Sequence, residues 1–198
     1  MIICGVVGVG KTTLGKALSL NTGFEFLDEP VKDNPYLTDY YKNTKKYALK
    51  MQIYMLMARS KMLKYTIDKN AILARSILDD GIFVEVLKKL KLIDDRDYKV
   101  YKDFVDAVIK PALYFDPRLK TDLWIYLRCS TLNAIKRINK RNRKSELSVS
   151  YEYWDLLNSE YEKWYNENKD KLNFLVIDTN NKDKTEILME VLNYIDWL

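Results

Sequence analysis

A chain of 198 residues, 47% of them hydrophobic, can bury one good core, so a single domain over 1–198 is expected. No apolar run reaches 18 residues and no basic segment precedes the short apolar opening, which argues against a membrane span and a signal peptide. With no histidine, two distant thiols (Cys4 and Cys129) and a net charge of only +5, disulfide frameworks and the usual zinc sites drop out, nucleic acid is not demanded, and a reducing cytoplasm is expected.

In chain order, Met1 to Cys4 reads as a strand and leads into Gly5-Val6-Val7-Gly8-Val9-Gly10-Lys11-Thr12, which fits G-x-x-x-x-G-K-[ST]. Four of the six glycines lie in the first fifteen residues. Glycines there let backbone N–H groups turn inward around a β-phosphate, and the N-terminus of the following helix adds a favourable field. Lys11 is expected to reach the β- and γ-phosphates of ATP and Thr12 to place its hydroxyl on Mg²⁺, with Thr13 lining the same cradle.

Phe24 to Leu27 reads as a second strand, followed by Asp28-Glu29-Pro30. Transfer of a phosphoryl group to an alcohol needs a group that orients the hydroxyl and accepts its proton, and without histidine a carboxylate is the natural choice. Glu29 takes that role, Asp28 is the reserve, and a solvated loop acid is the competing reading. Lys45 to Thr66 is a helix with Tyr47, Met51, Tyr54, Ala58, Met62 and Tyr65 on one stripe. Gln52 and Arg59 project from one face of it, about 10 Å apart. The Gln52 amide offers donor and acceptor side by side, which suits a base edge, although a backbone-satisfied Gln and a snorkelling Arg fit the same spacing.

Ala71 to Leu73 is a third strand, with Arg75 just beyond it. Asp97 to Lys110 repeats Tyr98, Tyr101, Val105 and Val108 and should stop at Pro111. Leu123 to Leu127 is a fourth strand, Trp154 to Trp164 a helix, Phe174 to Ile177 a fifth strand, and Thr185 to Leu198 a last helix. Five strands alternating with helices behind such a loop predict an α/β, P-loop kinase fold: a five-stranded parallel sheet flanked by helices. Asp28-Glu29, Arg75, Arg128 and Asp178 follow successive strands, at the carboxyl edge where open α/β sheets bind ligands. Residues 136–144 hold the densest basic run, and an arginine-rich lid over about 136–148 is expected. A solvated helix end or a nucleic-acid patch are the alternatives.

Together these motifs resemble the deoxynucleoside kinase family, in its small bacterial deoxyadenosine/deoxyguanosine kinase type, over essentially the whole chain. The P-loop, Glu29-Pro30-Val31, Asn34-Pro35-Tyr36-Leu37, Tyr40-Tyr41 and Arg75-Ser76 carry the likeness in the family's order. The resemblance implies ATP-dependent, Mg²⁺-assisted phosphorylation of a deoxynucleoside 5′-hydroxyl, with deoxyadenosine favoured over deoxyguanosine and deoxycytidine. It implies Glu29 as general base, Tyr41 at the sugar 3′-hydroxyl, and Gln52 with the Arg59–Asp80 pair at the base. It further implies Phe83 stacked on that base and Arg75 at Glu29 and the 5′-oxygen. By the same likeness Arg137, Arg141 and Arg143 are the lid arginines, Glu146 a lid acid near the sugar, and Asp178 part of the loop at the ATP adenine. A homodimer is implied as well.

One position departs from the pattern. The family carries an acid immediately before Arg75, where this chain has Ala74. With that acid missing, Thr12 is left as the obvious protein ligand of Mg²⁺, and lowered turnover with weaker Mg²⁺ use is expected. A nucleoside monophosphate kinase of the thymidylate kinase type is the nearest rival. It needs a second phosphate cradle near the second or third strand, where this chain puts Glu29 and a lone Arg59. A P-loop module binding nucleic acid through the basic run is the third reading.

Overall fold

The structure is a computed structural model that describes residues 1–31, 33–111 and 122–195, without the side chains of 144 and 145. Its centre is one parallel sheet built from β1 (Ile2–Cys4), β2 (Glu25–Leu27), β3 (Ala71–Ala74), β4 (Leu123–Arg128) and β5 (Asn173–Asp178). The strand order is β2-β3-β1-β4-β5, with every pairing parallel as the sequence predicts. The earliest strand is therefore the central one, with Ile3 paired to Ala74 on one side and to Ile125 on the other. Helices cover both faces of such a sheet, so β1, β3 and most of β4 read as continuous apolar runs. Ile2, Ile3, Ile72, Trp124 and Ile125 are all fully buried.

The flanking helices are α1 (Lys11–Thr22), α2 (Leu37–Lys42), α3 (Thr44–Tyr65), α4 (Gly81–Lys89), α5 (Asp95–Phe104), α6 (Thr131–Arg141), α7 (Lys144–Leu147), α8 (Tyr151–Asn168) and α9 (Lys184–Ile195). Gly15 lets α1 lie directly on β2, since a Cβ there would sit 2.1 Å from the Phe26 ring. The Asn34 side chain accepts from Tyr36 N at 2.8 Å, turning the Asn-Pro-Tyr-Leu segment into α2.

Two expectations shift. The buried face of α3 runs through Ala48, Met51, Gln52, Met55, Leu56, Ala58, Arg59 and Leu63; of the anticipated stripe Met51 and Ala58 are buried, while Tyr47, Tyr54 and Met62 only flank the core. Tyr65 is half exposed, its hydroxyl on Glu25 at 3.1 Å and Lys69 over its ring. The helix expected over Asp97 to Lys110 starts at Asp95, as α5, because the Asp94 side chain caps it by accepting from Arg96 N. From Val105 to Ile109 it widens into a π-helix, which shifts the register and leaves Val108 exposed. The backbone is still helical at Pro111, and the expected end of α9 at 196–198 lies outside the described residues.

Candidate active site

A cavity of about 1020 Å³ opens at the carboxyl edge of β1, β2 and β3, walled by α1, α3, α6 and the segment leading into α8. It runs from the P-loop to Gln52, so one continuous space joins the phosphate cradle to the face of α3 carrying the candidate base-reading amide.

The cradle is shaped by backbone constraint. Gly8 has φ 82°, and a Cβ there would lie 2.6 Å from the Ala134 carbonyl oxygen, so the loop turns where α6 presses against it. Lys11 is buried, and its Nζ donates to the carbonyls of Gly5 (2.9 Å) and Val6 (2.8 Å). Burial and the nearby Arg75 charge bring its ammonium down to about 7. The Thr12 hydroxyl donates to Asp28 Oδ1 at 3.0 Å, and the same oxygen accepts Glu29 N at 2.9 Å. Thr13 also lines the cavity.

Past β2, Glu29 Oε1 lies 2.7 Å from Arg59 Nη2 and 3.1 Å from Arg75 Nε. Burial pushes this carboxyl up, but the charges of Arg75, Arg59 and Lys11 outweigh it and hold it at about 2. Glu29 is therefore an anion fixed between two guanidiniums rather than a solvated loop acid. Its side chain keeps 23% exposure towards the cavity.

Arg75 sits at φ 69°, an uncommon backbone for a bulky side chain and a form of strain that needs firm support. Its main-chain N–H bonds Ile3 O at 2.9 Å. Its Nη1 meets the Tyr161 hydroxyl, which in turn donates to Asp79 Oδ2 at 3.0 Å. Asp79 also accepts Ser76 N at 2.7 Å, and the Phe83 ring lies 4.5 Å from the guanidinium carbon. Arg75 Nη2 is buried and has no hydrogen-bond partner among the described residues.

Arg59 bridges Glu29 and the fully buried Asp80, whose Oδ2 accepts the Tyr101 hydroxyl at 2.9 Å. Gln52 is buried in the cavity wall, and its amide makes no hydrogen bond among the described residues. Tyr41 and Phe83 line the same space. Of the lid residues, Arg141 and Arg143 both pair with Glu146, with Arg143 Nη1 at 3.5 Å. Arg137 reaches Thr179 Oγ1 at 2.9 Å, the Thr179 carbonyl at 2.5 Å and Val9 O at 3.3 Å.

Thus Glu29, Arg59, Arg75, Gln52, Tyr41, Phe83, Arg137, Arg141, Arg143, Glu146 and the P-loop side chains Lys11, Thr12 and Thr13 meet at one cavity, with Asp80 just behind Arg59. Two strand-end residues do not join them. Asp178 is exposed and accepts Asn180 N at 2.8 Å outside the lining, and Arg128 is held by Glu162 in a two-pronged pair. Lys182, Lys184 and Ile187 wall the cavity beyond β5 instead. Sequence reasoning also missed Asp79, Tyr101 and Tyr161; their spacing matched any core polar residue, and only the hydroxyls' partners reveal them.

Asp28 and Thr12 offer two hard oxygen donors at the mouth of the cradle, which fits the Mg²⁺ that accompanies a nucleoside triphosphate. The sequence profile of the deoxynucleoside kinase family matches residues 1–196. The chain belongs to that family. It is a kinase, phosphorylating deoxynucleosides, as the motifs implied. This kinase is 34% identical over 165 residues to the deoxyadenosine/deoxycytidine kinase of Bacillus subtilis (strain 168), covering 82% of this chain and 74% of that protein. It is 31% identical over 205 residues to the deoxyadenosine kinase of Lactobacillus acidophilus, covering 96% and 94%. The solved deoxyadenosine kinase of M. mycoides with bound dCTP is 41% identical, with a TM-score of 0.89 over 100% of both chains. The same protein with bound dATP gives 41% identity and a TM-score of 0.89 over 98% of each. Among the described residues, no helix of the kinase is long and apolar enough to cross a membrane.

Proposed function

We propose that this kinase transfers the γ-phosphoryl group of ATP to the 5′-hydroxyl of a deoxynucleoside, with deoxyadenosine preferred and deoxyguanosine or deoxycytidine accepted less well. The observation that carries the reading is Glu29, an anion clamped by Arg59 and Arg75 in a cavity that joins the P-loop to Gln52. Relatives whose printed activity is deoxyadenosine kinase support the base preference.

In this reading the P-loop amides and Lys11 hold the β- and γ-phosphates. The Thr12 hydroxyl would hold Mg²⁺, whose charge offsets that of the phosphates. Glu29 orients the 5′-hydroxyl and takes its proton as the bond to phosphorus forms, so a strongly basic carboxylate is not required. Arg75, which lines the cavity beside Glu29, adds charge at the moving phosphoryl group, as Arg137, Arg141 and Arg143 do when the lid closes. Gln52 pairs with the base edge, Arg59 and Asp80 complete its recognition, Phe83 stacks on it, and Tyr41 with Glu146 takes the sugar. Lys182 and Lys184, unlike Asp178, line the cavity and are the residues beyond β5 that could meet the adenine of ATP.

A monophosphate acceptor fits less well, because Arg59 and Arg75, the cations nearest β2 and β3, are already engaged with Glu29. A cytoplasmic homodimer completes the proposal. Its support is the exposed apolar set Met57 on α3 with Val100 and Phe104 on α5, which a second copy could cover. Incubation with ATP and each of the four deoxynucleosides, beside dAMP, tests the reading. Phosphate transfer to deoxyadenosine is expected, and transfer to dAMP alone would overturn it. Light scattering reads the oligomeric state.

A further inference from the structure

Among the described residues, three acidic side chains line the cavity: Asp28, Glu29 and Glu146. Two are already neutralised by pairs of arginines, Glu29 by Arg59 and Arg75, and Glu146 by Arg141 and Arg143. Asp28 alone has no cationic partner among the described residues. Its Oδ1 accepts the Thr12 hydroxyl and its own neighbour's N–H, and its Oδ2 accepts nothing. No second acid reaches Thr12 from β3, because that strand ends in the buried methyl of Ala74. A carboxylate aimed at the hydroxyl that opens α1, beside a triphosphate cradle, lacks only a cation.

We infer that Asp28 is the carboxylate that draws and fixes the divalent cation arriving with the nucleotide, so that β2 rather than β3 supplies the charge. Octahedral ligands about 2.1 Å from Mg²⁺ stand about 3.0 Å apart on neighbouring positions. Thr12 Oγ1 and Asp28 Oδ1 are 3.0 Å apart, so the pair needs no rearrangement to take such positions. The Thr12 hydroxyl keeps its proton and rotates it away from Asp28, so that a lone pair of Oγ1 and Asp28 Oδ1 would both face the cation. The Glu29 N–H keeps the carboxylate pointed there, and Asp28 Oδ2 is left to accept from a metal-bound water. Asp28 is thus assigned to the metal and Glu29 to the alcohol, two adjacent acids separated by what faces them.

The inference rests on the nucleotide reading above, and the test keeps the two apart. ADP binding is measured by calorimetry in EDTA, and Mn²⁺ binding to the ADP complex by electron paramagnetic resonance, for the wild type and Asp28→Asn. Asp28→Asn should leave metal-free ADP affinity unchanged and weaken Mn²⁺ binding by about tenfold or more. Equal Mn²⁺ affinity in the two proteins would overturn the assignment while leaving the kinase reading intact. Failure of the wild type to bind ADP would instead remove the nucleotide reading. If Asp28→Asn melts early or loses metal-free ADP binding, Asp28→Ser takes its place and is read by the same two outcomes.

Discussion

Arg59 Nη2 lies 2.7 Å from Glu29 Oε1, although the two residues are 30 positions apart and belong to different proposed tasks. One guanidinium touches both the acid proposed to face the sugar alcohol and the Asp80 proposed to help read the base. Occupancy of the base site and the posture of Glu29 are therefore mechanically coupled. Arg59→Met should strand a fully buried Asp80 and cost about 3–5 kcal/mol of stability, measured by denaturant unfolding. Asp80→Asn in the same background should recover part of that loss.

Glu29→Gln should collapse kcat while ADP affinity survives, since Glu29 touches no P-loop atom. The carboxyl also has a signature in acid. Its folded value of about 2 lies below the ordinary 4.5, so it stabilises the fold fully above about 4.5 and loses that contribution as pH falls towards 2. Thermal melts from pH 5 to 2.5 should show a steeper decline in the wild type than in Glu29→Gln.

Lys11 predicts a proton linkage to nucleotide binding. Burial and Arg75 hold its ammonium at about 7, whereas bound phosphates favour the charged form. Above pH 7 binding should take up a proton, and affinity should fall as pH rises from 7.5 to 9. Calorimetry of ADP binding in buffers of different ionisation enthalpy reads the proton directly.

Tyr161→Phe deletes the hydroxyl that joins Arg75 to Asp79 in a fully buried setting. The expected cost is about 1–3 kcal/mol of stability. A positioning role adds a second consequence: kcat should fall with KM for the nucleoside little changed, while a merely structural role would leave kcat alone.

Ala74→Asp should raise kcat and lower the Mg²⁺ concentration needed for half-maximal rate, because it adds a carboxylate beside the cradle. Burial of position 74 makes it cost stability at the same time. No gain in kcat would count against the expectation that Ala74 lowers turnover.

The strands, the P-loop and the Glu29 turn were legible because each is written locally, as an apolar run followed by glycines or acids. Gln52 and Arg59 were legible because helical spacing fixes their shared face. Only part of the α3 stripe turns fully inward, because tyrosine is amphipathic: Tyr65 counts as apolar in a pattern, yet its hydroxyl and ring are engaged at the surface by Glu25 and Lys69. The π-helical widening at Val105–Ile109 carries no composition signal, so Val108 was placed on the wrong face. Asp28 illustrates the limit most sharply. Adjacent acids after a strand look interchangeable in sequence, and only the Thr12 hydroxyl on one and the arginines on the other tell them apart.

The central position of β1 has a consequence for biosynthesis. The strand that leads into the cradle has no partner until Ala74 is made and only one until β4 follows. The wall that bends Gly8 waits longer still, for Ala134 in α6. A bound nucleotide can therefore stabilise the cradle only once residues of β3, β4 and α6 are in place around it.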